Sequence, residues 1–205
     1  MSFETVYFGH TKNIEGGYAN DVKDKAGGET YKGVSRLNHP KWPGWQIVDR
    51  IKAELGLTNT LGKISTWKSI DTLARREYAL EEMVVEFYRQ EYYAPYQKVE
   101  IPQRLRDKMF DTAVNTGHKN AVKILQRAIN CLMLESEWLK YDGVLGPKTL
   151  GKIGAVPFDK LLKRYAAYHR HHYERWLASP KGIAYWPQRE AFYARARWLP
   201  EEDPS

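Results

Sequence analysis

Cysteine is almost absent. The one thiol, Cys131, cannot close an internal disulfide, so neither a cross-linked framework nor an oxidising compartment is needed for folding. It sits in the apolar run Ile129-Asn130-Cys131-Leu132-Met133-Leu134, which predicts a buried thiol. Long hydrophobic runs are also missing: nowhere do 18 apolar residues follow one another, which excludes a membrane-spanning helix. There is no internal repeat and no low-complexity linker, so 205 residues read as one good-sized domain or two small ones. The histidines His10, His118, His169, His171 and His172 have no Asp, Glu or Cys at a spacing that completes a metal site. No metal and no cofactor is therefore expected.

What is present in quantity is aromatic and basic. Seven Trp and 14 Tyr exceed what a core of this size needs, so some rings belong to a cleft or a binding surface. Sugar clefts and single-stranded nucleic acid sites both use aromatic faces in this way, and composition does not choose between them. The net charge of +7 falls entirely on residues 96–205, the first 95 residues being balanced. Such an excess either attracts an anionic polymer or surface or is simply a solvated basic face. The basic residues follow no nucleic-acid-binding motif, and no nucleic acid partner is expected.

Along the chain, Phe3, Val6, Tyr7, His10 and Ile14 recur at helical spacing, and Gly16-Gly17 stop that helix just after Glu15. Residues 16–35 are rich in Gly, Asn, Asp and Thr, which predicts turns and short strands. A Pro/Trp-rich loop follows at His39 to Trp45. The periodicity of Leu73, Leu80, Val84, Phe87 and Tyr88 predicts one helix from about Ser69 to Tyr93, with Ser69 or Asp71 capping its start and Pro95 past its end. Further helices are predicted over about Pro102–Asn115 and Lys119–Met133, with a turn at Asp142-Gly143 and Pro147 opening a short helix. A long helix from about Asp159 to Leu177 aligns Leu161, Leu162, Tyr165, Tyr168, His172 and Trp176. The fold class is mainly α, with a small β-hairpin region near the N-terminus and a helical second lobe.

The stretch from Ile14 to Ser35 carries the chemistry. It sets Glu15 at the end of an apolar helix, then a turn-rich segment with a second acid, Asp24, and a hydroxyl, Thr30. Glycoside hydrolysis needs one group to protonate the leaving oxygen and another to assist attack at the anomeric carbon. A glutamate held against apolar neighbours keeps its proton longer, because desolvation disfavours the charged form. Glu15 suits the proton donor, Asp24 the ionised partner and Thr30 the orientation of water. The duller alternatives stay open: Gly-Gly after a helical acid is also a plain helix end, and Asp24 suits an Asx turn. Asp21 and Glu29 read as solvated or structural.

Glu15-Gly16-Gly17-Tyr18-Ala19-Asn20-Asp21, Asp24, Gly27-Gly28, Thr30 and Gly33-Val34-Ser35 together resemble the signature of the glycoside hydrolase 108 muramidases, among them enzymes of the phage endolysin type. The Glu15–Asp24–Thr30 spacing is also similar to the Glu/Asp/Thr triad of phage lysozymes. Glu86 to Tyr93 resembles a further segment of the family, with Tyr93 where Trp is usual, and Leu105 to Lys148 resembles the peptidoglycan-binding region that accompanies the hydrolase. The resemblance spans about residues 3–178. It implies a lysozyme-like fold, with residues 1–95 as the catalytic region, 96–178 as a peptidoglycan-binding-like helical region packed into the same fold, and 179–205 as a basic aromatic tail outside the family pattern.

The resemblance further implies hydrolysis of the β-1,4 bond between N-acetylmuramic acid and N-acetylglucosamine in bacterial peptidoglycan, with Glu15 as general acid and Asp24 and Thr30 assisting water, an inverting arrangement. Tyr18, Tyr92 and Tyr93 are candidates for stacking on sugar rings, as are Trp42 and Trp45, against ordinary packing. Asn115 either holds an N-acetyl group or caps its helix. The glycan strands are the expected partner, and the basic C-terminal region is a candidate for docking on an anionic envelope surface. A monomer is expected. Met1 to Thr5 lack a basic n-region and an apolar h-region. The expectation is synthesis in the bacterial cytoplasm and action on the wall after release, holin-dependent or equivalent. The alternatives are a lytic transglycosylase, in which the sugar's own 6-hydroxyl attacks, and a non-enzymatic peptidoglycan-binding protein.

Overall fold

The computed structural model describes residues 3–9, 16–20, 28–58 and 60–200. The fold is mainly α, with one small antiparallel sheet near the N-terminus, as the lysozyme-like expectation requires. No helix among the described residues is long and apolar enough to cross a membrane. The chain divides into two compact units, Tyr7–Arg89 and Met1–Val6 with Gln90–Ser205.

In the first unit, β1 (Tyr18–Asn20), β2 (Glu29–Tyr31) and β3 (Val34–Ser35) form a sheet in that order. Tyr18 pairs with Tyr31, Ala19 with Thr30 and Asn20 with Glu29, while Tyr31 pairs with Val34. The two-residue connection Lys32-Gly33 has φ of 44° and 78°, the double left-handed geometry that matches the twist of a hairpin. Gly33 adopts it without a steric penalty. Lys32 is held there on three sides. Its N–H donates to the Gly17 carbonyl (3.1 Å), its own carbonyl accepts from the Tyr88 hydroxyl (2.8 Å), and its ammonium pairs with Glu81.

Helices α2 (Gly44–Glu54), α3 (Ile64–Ala74) and α4 (Tyr78–Tyr88) complete this unit. The single helix expected over Ser69–Tyr93 is in fact broken after Ala74. The buried residues explain why. Ile70 and Ala74 are four apart, as are Leu80 and Val84, but Ala74 to Leu80 is a step of six. In a continuous helix that step would swing Leu80 about 120° away from the first stripe, so the chain turns at Arg75–Glu77 and both stripes reach the core. After α4 the chain makes a π-helical turn over Arg89–Tyr93 and a short helix α5 (Ala94–Gln97) that carries Pro95 in its first turn. Neither Ser69 nor Asp71 caps a helix: the Ser69 hydroxyl donates to the Ser65 carbonyl, and Asp71 serves the sheet.

The second unit is built on α6 (Gln103–Thr116), α7 (His118–Asn130), α8 (Pro147–Ile153), α9 (Phe158–Leu177) and α10 (Arg189–Arg197). Phe3 of α1 (Phe3–Gly9) packs on Tyr93 and Phe110, ring centres 5.2 and 5.7 Å apart. Asp142-Gly143 forms the expected turn, Asp142 Oδ1 accepting from the Val144 N–H at 2.8 Å, and Pro147 opens α8. Cys131, expected inside, is exposed. The helix ends at Asn130, and Cys131 falls past the buried line of Ala121, Leu125 and Ala128.

The buried line of α9 also differs from the expected one. It runs through Leu161, Tyr165, His169, Tyr173 and Leu177 in steps of four, with Leu162 beside it, whereas Tyr168, His172 and Trp176 flank it half-buried. Burial holds His169 far below its usual pKa, at about 2, aided by Lys108 and Arg195, so the ring stays neutral. Residues 179–200 are packed against the rest of this unit. Tyr193 and Ala196 of α10 form a cluster with Tyr173 and Leu177, Trp176 and Phe192 packing against it. Beneath them Arg195 Nε reaches Asp111 Oδ1 at 3.0 Å and Lys108 Nζ donates to the Arg195 carbonyl at 2.9 Å, all three side chains buried.

Candidate active site

Glu15 and Asp24 lie outside the described residues. The frame on both sides of them is described, and it is built from the sheet. Gly16 and Gly17 lead directly from Glu15 into β1, and Asp24 belongs to the stretch between Asn20 and Glu29, which face each other across β1 and β2.

The entry to β1 is fastened to α3. The Tyr18 N–H donates to Asp71 Oδ1 at 2.6 Å, across 53 residues of chain. Asp71 is half-buried, and burial raises its pKa against the pull of that N–H. Gly17 is needed for the approach, because a Cβ there would lie 2.2 Å from Asp71 Oδ2. Gly17→Ala is therefore expected to push the carboxylate off the Tyr18 N–H and cost about 1–3 kcal/mol. Urea unfolding at neutral pH measures it, and a variant as stable as the parent would contradict the assignment.

Pairing sorts the strand residues by face, since side chains alternate along a strand and paired residues share a side. Tyr18, Asn20, Glu29 and Tyr31 share one face, and Ala19, Thr30 and Ser35 the other. The first face is filled by a polar chain. Asn20 Nδ2 donates to Thr60 Oγ1 (3.0 Å), which lies 2.7 Å from the Tyr18 hydroxyl, and that hydroxyl donates to Glu29 Oε1 (2.7 Å). One proton on each hydroxyl fixes the sense: Thr60 donates to Tyr18, and Tyr18 to Glu29. Burial raises the Tyr18 pKa well above its ordinary value, so the donor persists. Glu29 also pairs with Lys52 (2.9 Å) and Arg36 (2.7 Å), and Arg36 in turn holds Asp49 at 2.9 and 2.7 Å. Arg36 keeps the Asp49 carboxyl below its usual range. The Glu29 carboxylate is thus committed to structure.

Thr30 is half-buried on the opposite face, clear of this network. Of the candidate stacking rings, Tyr18, Trp42, Trp45 and Tyr93 are packed as core. Tyr93 lies between Phe3 and Phe110, its hydroxyl shared with Gln103 and Asp107. Tyr92 keeps a half-exposed ring, stacked on His118 with centres 5.5 Å apart and planes 21° apart. His118 is fixed in turn. Its Nε2 faces the Glu91 carbonyl at 2.9 Å and must carry the proton, while Nδ1 accepts from the Tyr96 hydroxyl at 2.9 Å. Asn115 is exposed in the last turn of α6 and its Oδ1 accepts from the Tyr173 hydroxyl at 2.9 Å.

Sequence reasoning did not single out Thr60 or the bracing of Tyr92 by His118, and it read Asp71 only as a helix cap. Each acts through a partner 26 to 53 residues away, and no local pattern encodes such a pairing.

Comparison with known proteins bears on this frame. The sequence profile described as Glycosyl hydrolase 108 matches residues 8–117, more than half of the chain. That span includes Glu15, Asp24, Thr30, Tyr92 and Asn115. Among solved structures, the fold is similar to that of SagA from Brucella abortus, with a TM-score of 0.53 at 19% identity over 95% of this chain and 92% of that one. No curated protein matches.

Proposed function

This chain belongs to the glycosyl hydrolase 108 family and is a glycoside hydrolase, and on that premise we propose that it cleaves bacterial peptidoglycan as a muramidase. The bond is the β-1,4 link between N-acetylmuramic acid and N-acetylglucosamine. Glu15 protonates the glycosidic oxygen, and Asp24, with Thr30, guides water to the anomeric carbon from the other side of the ring. The observation that carries this reading is the family match over residues 8–117, which contains the Glu15–Asp24–Thr30 series in full.

The frame supports the division of labour. Glu29 is the carboxylate carried on the strands themselves among the described residues, and it pairs with Lys52 and Arg36. Its Oε1 is taken by Tyr18 and Lys52 and its Oε2 by Arg36. Thr30 is set on the face that this network leaves alone. Tyr92, braced by His118, offers the ring of a sugar platform, and Asn115 an amide near the end of the matched span.

Product chemistry tests the proposal. Digestion of purified sacculi in water enriched in heavy oxygen is expected to release fragments with reducing N-acetylmuramic acid ends that carry the label. Unlabelled 1,6-anhydro ends would mean attack by the sugar's own hydroxyl and would overturn hydrolysis. Proton NMR of the first products is expected to show the inverted anomer, because Asp24 is assigned to water rather than to a covalent intermediate.

A further inference from the structure

Between α7 and α9 lies a pocket of about 330 Å³, at the small end of the roughly 300–1,000 Å³ typical of small-ligand sites. Its wall includes Asn120, Lys123 and Arg127 from α7 and His172, Arg175 and Trp176 from α9. His172 and Trp176 come from the half-buried stripe beside the core line of α9, and both line this pocket while Trp176 also packs against Tyr185 and Phe192, ring centres 5.3 and 5.6 Å apart.

Three cations meet here, and among the described residues no anion lines the pocket with them. Helix α7 contains no acidic residue, and none lines the pocket. No carboxylate pairs with Lys123, Arg127 or Arg175 among the described residues; Arg127 instead leans on the Tyr141 ring at 5.5 Å. Arg127 and Arg175 line the pocket together with His172. Its pKa is lowered by burial first and then by those two guanidiniums. Two forked guanidiniums and an ammonium suit an oxyanion such as carboxylate or phosphate. Beside them, the half-buried Trp176 supplies a ring against which the apolar edge of a sugar packs, and Asn120, which donates one Nδ2 hydrogen to the Thr116 carbonyl at 2.7 Å, offers its oxygen to accept from a hydroxyl.

We propose that this pocket is a binding site for an acidic saccharide, a sugar ring bearing carboxylate or phosphate, distinct from the Glu15 chemistry. It gives the positive charge of residues 96–205 a defined recess instead of a diffuse surface role, and it holds acidic glycan against the enzyme between cuts.

Calorimetric titration of the full chain at low ionic strength tests it with glucuronate, glucose 6-phosphate, glucose and inorganic phosphate. Glucuronate and glucose 6-phosphate are the two sources of the anion, and both are expected to bind at least about ten-fold more tightly than glucose or inorganic phosphate. Lys123→Gln/Arg175→Gln, at exposed or half-buried positions, is expected to lose that margin while its melting curve and its hydrolysis of short soluble wall fragments stay unchanged. Equal binding of inorganic phosphate would remove the sugar from the proposal, and equal binding of glucose would remove the anion. Acidic-sugar binding that survives the double substitution would move the site elsewhere. Phosphatidylglycerol vesicles bound through Lys123 and Arg175, with no binding of either sugar, would replace the saccharide by a lipid surface. Failure of the muramidase reading is separate: the parent protein would then release no wall fragments, whatever its affinity for acidic sugars.

Discussion

Glu15→Gln is expected to lower the initial rate of turbidity loss of purified sacculi by about 10²- to 10⁴-fold, the range that a positioned general acid contributes. Glutamine keeps the length and shape of the side chain and its capacity to hydrogen-bond, but carries no transferable proton at the leaving oxygen. The effect should therefore appear in turnover, with substrate binding and the unfolding transition retained. The reason for choosing Glu15 is chemical as well as familial. It follows Ile14 at the end of an apolar periodicity, where desolvation favours the protonated form. Just downstream the entry to β1 is held from two directions, Asp71 accepting from the Tyr18 N–H and the Gly17 carbonyl from the Lys32 N–H. Equal clearing by parent and variant would remove Glu15 as the acid and leave the family membership without its expected chemistry.

How much of this was legible in the sequence depends on how far apart the interacting residues lie. The turn-rich character of residues 16–35 is written locally, and the three short strands appear there. Helices α6 to α9 appear within a few residues of their periodic patterns, because Pro102, Gly117 and Pro147 punctuate them. The break between α3 and α4 has no glycine or proline to announce it. It follows from a phase difference between two stripes that only the core reveals. The buried line of α9 was misjudged for a similar reason. Tyr168, His172 and Trp176 repeat at helical spacing as well as Tyr165, His169 and Tyr173 do, and hydropathy gives no ground for burying His169. Its Nδ1 meets Thr112 of α6 at 3.3 Å, a contact 57 residues away. The candidate acid, base and hydroxyl were readable as a pattern, whereas Thr60 and Asp71, which brace the strand between them, were not. Trp42 and Trp45 carry the composition of a sugar platform, yet they pack edge to face at 5.2 Å as core.

The C-terminal segment, which no family pattern covers, leads to the largest stability effect expected here. Arg195→Ala should destabilise the protein by about 3–5 kcal/mol, the cost of leaving one member of a buried ion pair alone. Asp111 is fully buried and Arg195 nearly so, with Nε 3.0 Å from Oδ1 and Nη2 donating to the Asp111 carbonyl at 3.1 Å. Truncation at Arg195 leaves the aspartate facing a dry interior in which Lys108 is the neighbouring cation. That lysine is itself held down at about pKa 8 by burial, against the upward pull of Asp111. Asp111→Ala should therefore be as damaging from the other side, because it strips Lys108 and Arg195 of the anion that offsets their burial and drives the lysine pKa lower still. The exposed pair Lys152–Glu137, at 2.9 Å, supplies the contrast: Lys152→Ala should cost less than about 1 kcal/mol, since water screens that charge in both states. Urea unfolding of the three variants at pH 7 separates these cases. A loss at Arg195 no larger than that at Lys152 would mean that α10 rests on its apolar cluster alone and that the buried charges are incidental to holding the C-terminal helix in place.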